Sequence, residues 1–255
     1  MPGDPEQAGG YLDPYRDAVD SGGPSFEALL WRNREFQLAR FRVLIEAAAA
    51  GLDPFSSELR GDALANKVIA DLGCGRADLL TWLRTQRVPF GRYIGVEAIP
   101  EFAEASRAIT SAADSLVVEA DFASDEDLFA ALVRSHGTEV FLFSGSLNTF
   151  EQADAQRVIE RAFRAVEHLP AGAVVFNFLS SLAPNAGTDN TGPAKRFDTH
   201  ELTAFAASLS PAFVLRHDYL RGHDAREFKC ECQTTMEVCS GIGFFLGFYR
   251  QFQCR

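Results

Sequence analysis

Short runs of β-branched and aromatic residues alternate with helical stretches through most of the chain, and this alternation constrains the fold more than any other feature. Strands are predicted at 67–72, 92–97, 115–121, 139–145, 173–180 and 212–220. The helices predicted between them lie at 77–85, 100–109, 124–136, 151–169 and 198–210. Buried strands that are separated by helices form parallel sheets. We therefore expect an α/β fold with a mostly parallel sheet and helices on both faces.

The two ends of the chain differ from this central pattern. Residues 1–24 are acidic and rich in Pro and Gly, without an apolar segment, and we predict a flexible leader there. A helix is predicted from 26 to about 51, which makes 25–66 an added N-terminal helical cap. Residues 67–224 carry the alternating strands and helices. The tail 225–255 is rich in Cys, Phe and Gln, so it either completes the sheet or is foreign to the fold.

The charge of the chain bears on its partners. Asp and Glu number 35 against 24 Lys and Arg, which gives a formal net charge of -11. The basic residues are scattered, and this disfavours nucleic acid, because proteins that bind phosphate backbones usually present a basic patch. No run of about 18 apolar residues occurs, so we predict no membrane span. Since no secretory signal is recognisable, we expect a cytoplasmic protein.

The cysteines do not form a recognisable metal site. Four of the five lie near the end of the sequence, as Cys230, Cys232, Cys239 and Cys254. Common zinc sites use paired C-x2-C units, and this spacing has none. An odd number of cysteines without a secretory signal favours free thiols in a reducing compartment.

The loop after the first predicted strand, DLGCGRAD, lies where open α/β sheets bind their ligands. Gly73 and Gly75 allow a tight turn and a close approach of the backbone to a ligand. A dinucleotide-binding loop would have a third glycine where this chain has Asp78, and the Walker A pattern is absent. The carboxylates of Asp71 and Asp78 favour a ligand with positive charge. S-adenosylmethionine, which carries a sulfonium and an ammonium group, is such a ligand.

The ends of the next three predicted strands extend this pattern. Glu97 ends the second strand in YIGVEAIP, Asp121 and Phe122 follow the third in VVEADF, and the fourth leads into FLFSGSLNTF. Together with the glycine loop, these motifs resemble class I, Rossmann-like S-adenosylmethionine-dependent methyltransferases over residues 67 to 220. The stretches WRNREFQLARFRVL, SGSLN and LRHDYL resemble an uncharacterised bacterial branch of that family. The resemblance implies a doubly wound sheet of seven strands.

The resemblance also implies roles for single residues. Glu97 would accept hydrogen bonds from the ribose hydroxyls, and Asp71 would hold the ammonium group directly or through water. Asp121 would accept from the adenine amine, with Phe122 at the ring. Cys74 is expected to fill space in the loop rather than to act as a nucleophile. The full set of predicted cofactor-binding residues is Asp71, Gly73, Cys74, Gly75, Glu97, Asp121, Phe122 and Ser144.

Methyl transfer from a sulfonium needs little side-chain chemistry, because much of the catalysis can come from positioning an oxygen, nitrogen or carbon nucleophile. Three residues are candidates for orienting or deprotonating the acceptor: Asn148, His217 and Asp218. His217 and Asp218 alternate to opposite faces of a predicted strand, so both cannot point into one pocket. Ser144 stands where many members of the family carry an acid.

The sequence favours a small-molecule acceptor, and less strongly a protein. It lacks both the N/D-P-P-Y motif of amino-methylating DNA enzymes and the Pro-Cys nucleophile of cytosine methyltransferases. Two alternatives stay open at this point. The altered fourth-strand loop and the atypical tail are compatible with a protein that binds S-adenosylmethionine without turnover. An NAD-dependent oxidoreductase on a similar fold is the other alternative, and a preference for NAD in binding would favour it.

Overall fold

The computed structural model describes residues 10–52, 62–110, 113–183, 191–216 and 243–249. Its strands, numbered β1 to β8 in chain order, are Val68–Leu72, Arg92–Glu97, Ser115–Glu119, Val140–Phe143, Ala173–Ser180, Arg196–Phe197, Ala212–Arg216 and Gly243–Tyr249. Its α-helices, α1 to α7, are Asp13–Gly22, Arg34–Leu52, Asp78–Gln86, Pro100–Ile109, Leu128–His136, Gln152–Val166 and Thr199–Leu209. Two short 3-10 helices are Glu27–Leu29 and Asp62–Leu64.

All eight strands belong to one sheet, in the order β3-β2-β1-β4-β5-β8-β7, with β6 beside β5. Strands β1 to β5 pair in parallel, whereas β8 is antiparallel to both β5 and β7. The predicted α/β class with a mostly parallel sheet is confirmed. The number of strands is eight rather than seven, because the two-residue β6 adds a short parallel pairing to β5.

Helices cover both faces of the sheet, as predicted. Side chains along a strand alternate between the faces. Ile69 and Tyr93 pack in the core cluster that includes α2 and α3, whereas their neighbours Ala70 and Ile94 pack in the cluster that includes α5 and α6. All four are fully buried. None of the helices in the described ranges is long and apolar enough to cross a membrane.

The stretch predicted as a flexible leader contains the helix α1. Pro14 lies in the first turn, where proline is compatible with a helix because the first backbone N–H groups have no helical partner. Val19 anchors α1 by packing in a buried cluster with Ala28 and Phe102. The prediction of a flexible segment is therefore wrong for 13–22, because Pro and Gly do not exclude a helix when the proline lies in its first turn.

The helix predicted from 26 to 51 is divided in the structure. The 3-10 helix Glu27–Leu29 ends at Leu30, whose φ is 58°. Helix α2 then begins at Arg34, and the side chain of Asn33 accepts a hydrogen bond of 2.9 Å from the backbone N–H of Phe36. This is the bonding of a helix N-cap, so Asn33 specifies the new start.

Two predictions on the C-terminal part have different outcomes. Gly243–Tyr249 forms β8 between β5 and β7, so part of the atypical tail pairs within the sheet. The other residues of 225–255 lie outside the described residues, and so do His217 and Asp218.

Candidate active site

A cavity of about 740 Å3 opens at the carboxyl ends of the parallel strands. The loops after β1, β2, β3 and β4 line it, together with parts of 11–40 and 191–196. Its volume lies in the range of about 300–1,000 Å3 that is typical of cofactor and small-molecule sites. Open α/β sheets bind ligands at this edge.

The glycine loop is a tight turn in which larger residues do not fit. Gly73 and Gly75 line the cavity with positive φ values of 73° and 56°. A Cβ atom on Gly73 would lie 2.5 Å from the Cβ of Ser146, and one on Gly75 would lie 2.5 Å from the Cδ2 of Leu29. The backbone N–H of Gly73 donates to the carbonyl of Val96 in β2 at 2.8 Å. The loop is therefore held against β2 by this hydrogen bond, and Ser146 and Leu29 pack closely on its two glycines.

Glu97, the last residue of β2, connects this loop to the cavity. Its Oε2 accepts a hydrogen bond of 2.8 Å from the backbone N–H of Gly75. Its Oε1 accepts bonds of 2.9 Å from the N–H groups of Ala98 and Ile99. Burial raises the pKa of Glu97 to about 7, although these three bonds act to lower it. Each carboxylate oxygen has two lone pairs, and Oε1 already accepts two bonds, so Oε2 is able to accept one further bond from a ligand.

The end of β3 supplies an acid and an aromatic ring. Asp121 Oδ1 accepts hydrogen bonds from the backbone N–H of Ala123 at 3.0 Å and from the Tyr11 hydroxyl. Phe122 stacks on Phe150 with ring centroids 6.0 Å apart, and Tyr11 stacks on Phe150 at 4.2 Å. Burial and the Asp121 carboxylate raise the pKa of the Tyr11 hydroxyl above its usual range. The N-terminal segment thus contacts the residues predicted to meet the adenine.

The loop after β4 contributes polar atoms that lack protein partners. Ser144 Oγ, Ser146 Oγ and Asn148 Oδ1 are buried, and none has a hydrogen-bond partner among the residues that the structure describes. All three residues line the cavity. Buried polar groups are nearly always hydrogen-bonded, so these atoms indicate a polar ligand. Ser144 and Asn148 are thereby brought to the site at which the sequence predicted them.

Asp71 and Cys74 lie behind the loop and do not line the cavity. Asp71 Oδ2 accepts a hydrogen bond of 2.7 Å from the Tyr93 hydroxyl, and burial raises the pKa of Asp71 to about 7. The sulfur of Cys74, a free thiol, packs on Gly95, where an added Cβ would lie 2.8 Å from it. Neither side chain lines the cavity, and Asp71 Oδ1 is buried without a hydrogen-bond partner among the described residues, so a link from Asp71 to the ligand through water stays a prediction.

Asp78 has a partner of its own within the protein. Its Oδ2 forms an ion pair of 3.0 Å with Arg34 Nη1 and accepts a hydrogen bond of 3.2 Å from Gln37 Nε2. Both partners belong to α2. The negative charge of Asp78 is therefore compensated by α2, and it is not an argument for a cationic ligand.

Several residues of the cavity were missed from the sequence because they lie in the predicted leader or in long helical and loop stretches. Tyr15 lines the cavity, and burial and then the Glu97 carboxylate raise its pKa to about 12. Trp31 covers Gly145, where an added Cβ would lie 2.9 Å from Trp31 Cζ2. Arg40 and Arg196 also line the cavity. The signal available was the pair of tyrosines in YLDPY, which is unusual in a Pro- and Gly-rich stretch.

No protein-family model matches the chain, and no curated protein matches its sequence. An S-adenosylmethionine-dependent methyltransferase from Archaeoglobus fulgidus is 12% identical, with 84% of this chain and 93% of that chain covered and a TM-score of 0.54. The plantazolicin methyltransferase BpumL, solved in complex with S-adenosylhomocysteine, is 13% identical, with 96% and 94% covered and a TM-score of 0.56. The chain has the class I methyltransferase fold. A possible exported protein from Bordetella parapertussis is also similar, at 16% identity, with 85% and 67% covered and a TM-score of 0.52.

Within this methyltransferase fold, one residue or turn from each of four strand ends lines the cavity: Gly73, Glu97, Asp121 and Ser144. The carboxyl ends of parallel strands meet at one edge, which is why residues up to 71 positions apart converge here. Across the described part of the chain, no group of three or more His, Cys, Asp or Glu residues is placed to hold a metal ion.

Proposed function

We propose that this protein is an S-adenosylmethionine-dependent methyltransferase that acts on a small molecule. Glu97 is the observation that carries the proposal. It is a buried carboxylate at the end of β2, it lines the cavity, and the N–H of Gly75 holds it against the glycine loop. An acid and a glycine turn that form one rigid unit are suited to a ligand with vicinal hydroxyls next to a polar chain.

The other cavity residues fit the cofactor as well. Glu97 would accept from the ribose through the remaining lone pair of Oε2, since hydrogen bonds to an ionised acceptor are stronger than neutral ones. Asp121 and Phe122 would hold the adenine by its amine and its ring. The backbone at Gly73 and Gly75 would lie along the amino-acid part, because glycine leaves room for close approach. Asp71 supports this unit from the core side rather than by contact.

S-adenosylmethionine, when bound, supplies a methyl group that is already activated by the sulfonium. The residues of this chain therefore have to position the acceptor and to exclude water. Ser144 and Asn148 offer a hydroxyl and an amide oxygen for orienting an acceptor. Leu29 packs on Gly75 and Trp31 packs on Gly145, and both side chains limit the access of water to the cavity. His217 and Asp218 stay predictions for a group that deprotonates the acceptor.

The test is a calorimetric titration of the wild type with S-adenosylmethionine, S-adenosylhomocysteine and NAD. We expect dissociation constants in the micromolar range for the first two ligands, and at least tenfold weaker binding in Glu97→Ala. The matched control is Glu119→Ala. Glu119 ends β3 and pairs in register with Glu97, but it is exposed and lies outside the cavity.

Each alternative has its own outcome. A folded wild type that binds neither adenosyl ligand contradicts the proposal, and a preference for NAD would favour an oxidoreductase. Binding without transfer of labelled methyl to any acceptor in a broad panel would favour a binding protein of the same fold.

A further inference from the structure

The charged side chains that line the cavity are separated by sign. Glu97 ends β2 and Asp121 follows β3, and these two strands lie on one side of β1 in the sheet. Arg196 belongs to β6, beside β5 and thus on the other side of β1. Arg32 and Arg40 also line the cavity and belong to the segment that covers the loop after β4. The cavity therefore has an acidic end and a basic end.

Contacts within the fold hold two of these arginines, Arg40 and Arg196, at the basic end. The guanidinium carbon of Arg40 lies 5.0 Å from the centre of the Trp31 ring, and Trp31 packs on Gly145 directly after β4. Arg196 Nη1 donates a hydrogen bond of 2.9 Å to the carbonyl of Ser180 at the end of β5. A guanidinium fixed in this way is pre-organised, so little further conformational entropy is lost when it binds a ligand.

The polar atoms without protein partners lie between the two ends. Ser146 contacts the glycine loop, since its Cβ is the atom that an added Cβ on Gly73 would meet. The carbonyl of Asn148 accepts a hydrogen bond of 2.6 Å from the backbone N–H of Lys195, next to Arg196. Asn148 is only 8% exposed, and its Oδ1 has no partner within the described ranges. The basic end therefore adjoins the loop after β4, in which Ser144 and Asn148 are proposed to orient the acceptor.

This basic end is a local reversal in a chain whose net charge is -11. The planar guanidinium of arginine binds carboxylates and phosphates through two parallel hydrogen bonds, which makes it suited to recognising oxyanions. Trp31, Phe36 and Leu179 line the same part of the cavity with apolar surface. We infer that the methyl acceptor is a small, largely apolar molecule with an oxyanion group, and that Arg32, Arg40 and Arg196 bind that group. The inference rests on the proposed function.

The test uses two fluorescent probes with the same aromatic body. The probe 8-anilino-1-naphthalenesulfonate carries a sulfonate, whereas N-phenyl-1-naphthylamine is neutral. Affinities are measured with and without saturating S-adenosylhomocysteine in the wild type, in Arg40→Met, in Arg196→Met and in Arg32→Met. Met retains an unbranched side chain without the charge. The control is Arg164→Met, because Arg164 is exposed on α6 and lies outside the cavity.

We expect the sulfonate probe to bind at least tenfold more tightly than the neutral probe. Each cavity variant should lower the affinity for the sulfonate probe at least fivefold and change the affinity for the neutral probe less than twofold. Equal binding of the two probes, or a preference that all three variants retain, would overturn the inference. Arg32 is exposed, so Arg32→Met tests it even if a change at Arg40 or Arg196 disturbs folding.

A further arm asks whether the arginines bind the cofactor's own carboxylate. 5′-Methylthioadenosine lacks the amino-acid part of the cofactor. If the variants lower the affinity for S-adenosylhomocysteine but not for 5′-methylthioadenosine, the assignment of the arginines to the acceptor is overturned. If S-adenosylhomocysteine does not bind at all while the variants still lose the sulfonate probe, the proposed function fails and the oxyanion site stands.

Discussion

Asp71 and Glu97 are buried acids near the ends of the neighbouring strands β1 and β2, yet they have different surroundings. Burial raises the pKa of each to about 7. Glu97 lines the cavity and accepts three backbone hydrogen bonds. Asp71 pairs in register with Gly95, two residues before the end of β2, and bonds to the Tyr93 hydroxyl within the core.

The comparison shows that a raised pKa does not by itself mark a ligand-binding residue. Desolvation is the main cause for both acids, and it acts equally on structural and functional groups. The position along the strand differs, because Asp71 precedes the last residue of β1 whereas Glu97 is the last residue of β2 and lines the cavity. The two acids should therefore respond similarly in stability and differently in binding.

The largest expected effect concerns Asp71 and the dependence of stability on pH. The folded pKa of about 7 is higher than the ordinary value of 3.8, so the folded state binds a proton that the unfolded state has lost between these values. Stability from this group is present below pH 4 and is lost as pH rises to 7, by about 4 kcal/mol. Asp71→Asn should remove this loss. Its free energy of unfolding should therefore increase relative to that of the wild type as pH rises.

Urea unfolding at pH 5, 6, 7 and 8 measures this difference, with titration of S-adenosylhomocysteine at pH 7 as a second readout. Binding should change less than threefold, since Asp71 does not line the cavity. Parallel stability profiles for the two proteins would contradict the raised pKa, and a large loss of binding would make Asp71 functionally equivalent to Glu97.

The turn that follows Asp71 should tolerate substitution poorly. Gly73→Ala places a side chain at φ 73° and 2.5 Å from Ser146 Cβ, and we expect a loss of about 3 kcal/mol in unfolding free energy. Gly137→Ala is the matched control, because Gly137 has φ 71° but no atom within 4 Å of the added Cβ. It should lose about 1 kcal/mol. Equal losses, measured by urea unfolding, would show that the close contact is not real.

Binding at Glu97 should depend on pH. Its pKa of about 7 means that the ionised form, which accepts hydroxyl hydrogen bonds more strongly, becomes populated as pH rises through 7. The affinity for S-adenosylhomocysteine should therefore rise by up to about tenfold from pH 6 to pH 8. Glu97→Gln cannot ionise, and its weaker binding should be independent of pH in calorimetry. A wild-type affinity that falls over this interval would be inconsistent with binding by the carboxylate.

The smallest expected effect concerns Tyr11, whose hydroxyl donates a hydrogen bond to Asp121 in the lining of the cavity. Tyr11→Phe removes the hydroxyl and keeps the ring that stacks on Phe150, so unfolding free energy should fall by about 1 kcal/mol. Asp121 Oδ1 would then be released from the Tyr11 hydroxyl and available to the adenine amine, and S-adenosylhomocysteine should bind about threefold more tightly. Thermal unfolding and calorimetry measure the two effects. An unchanged affinity would argue against a role of Asp121 in binding the adenine.

The sequence alone determined the central elements of the fold and the turns that need glycine. The predicted bounds 92–97, 100–109 and 173–180 match β2, α4 and β5. Hydrophobic periodicity encodes such elements locally, and Gly73 and Gly75 are required by the backbone conformation of their own turn. Glu97 was identified for the same reason, because it is the last residue of a strand whose end is visible in the sequence.

Only the tertiary structure decided which side chains meet at the cavity. Tyr11 bonds to Asp121, and Trp31 covers Gly145. Arg196 lines the cavity together with residues of the N-terminal segment. These partners are more than 100 residues apart in the chain, so no local pattern connects them. The same holds for Asp71, which the sequence placed at the ligand. Strand pairing opposite Gly95 and the nearby Tyr93 hydroxyl hold it in the core instead, because burial and hydrogen bonding depend on which strands become neighbours.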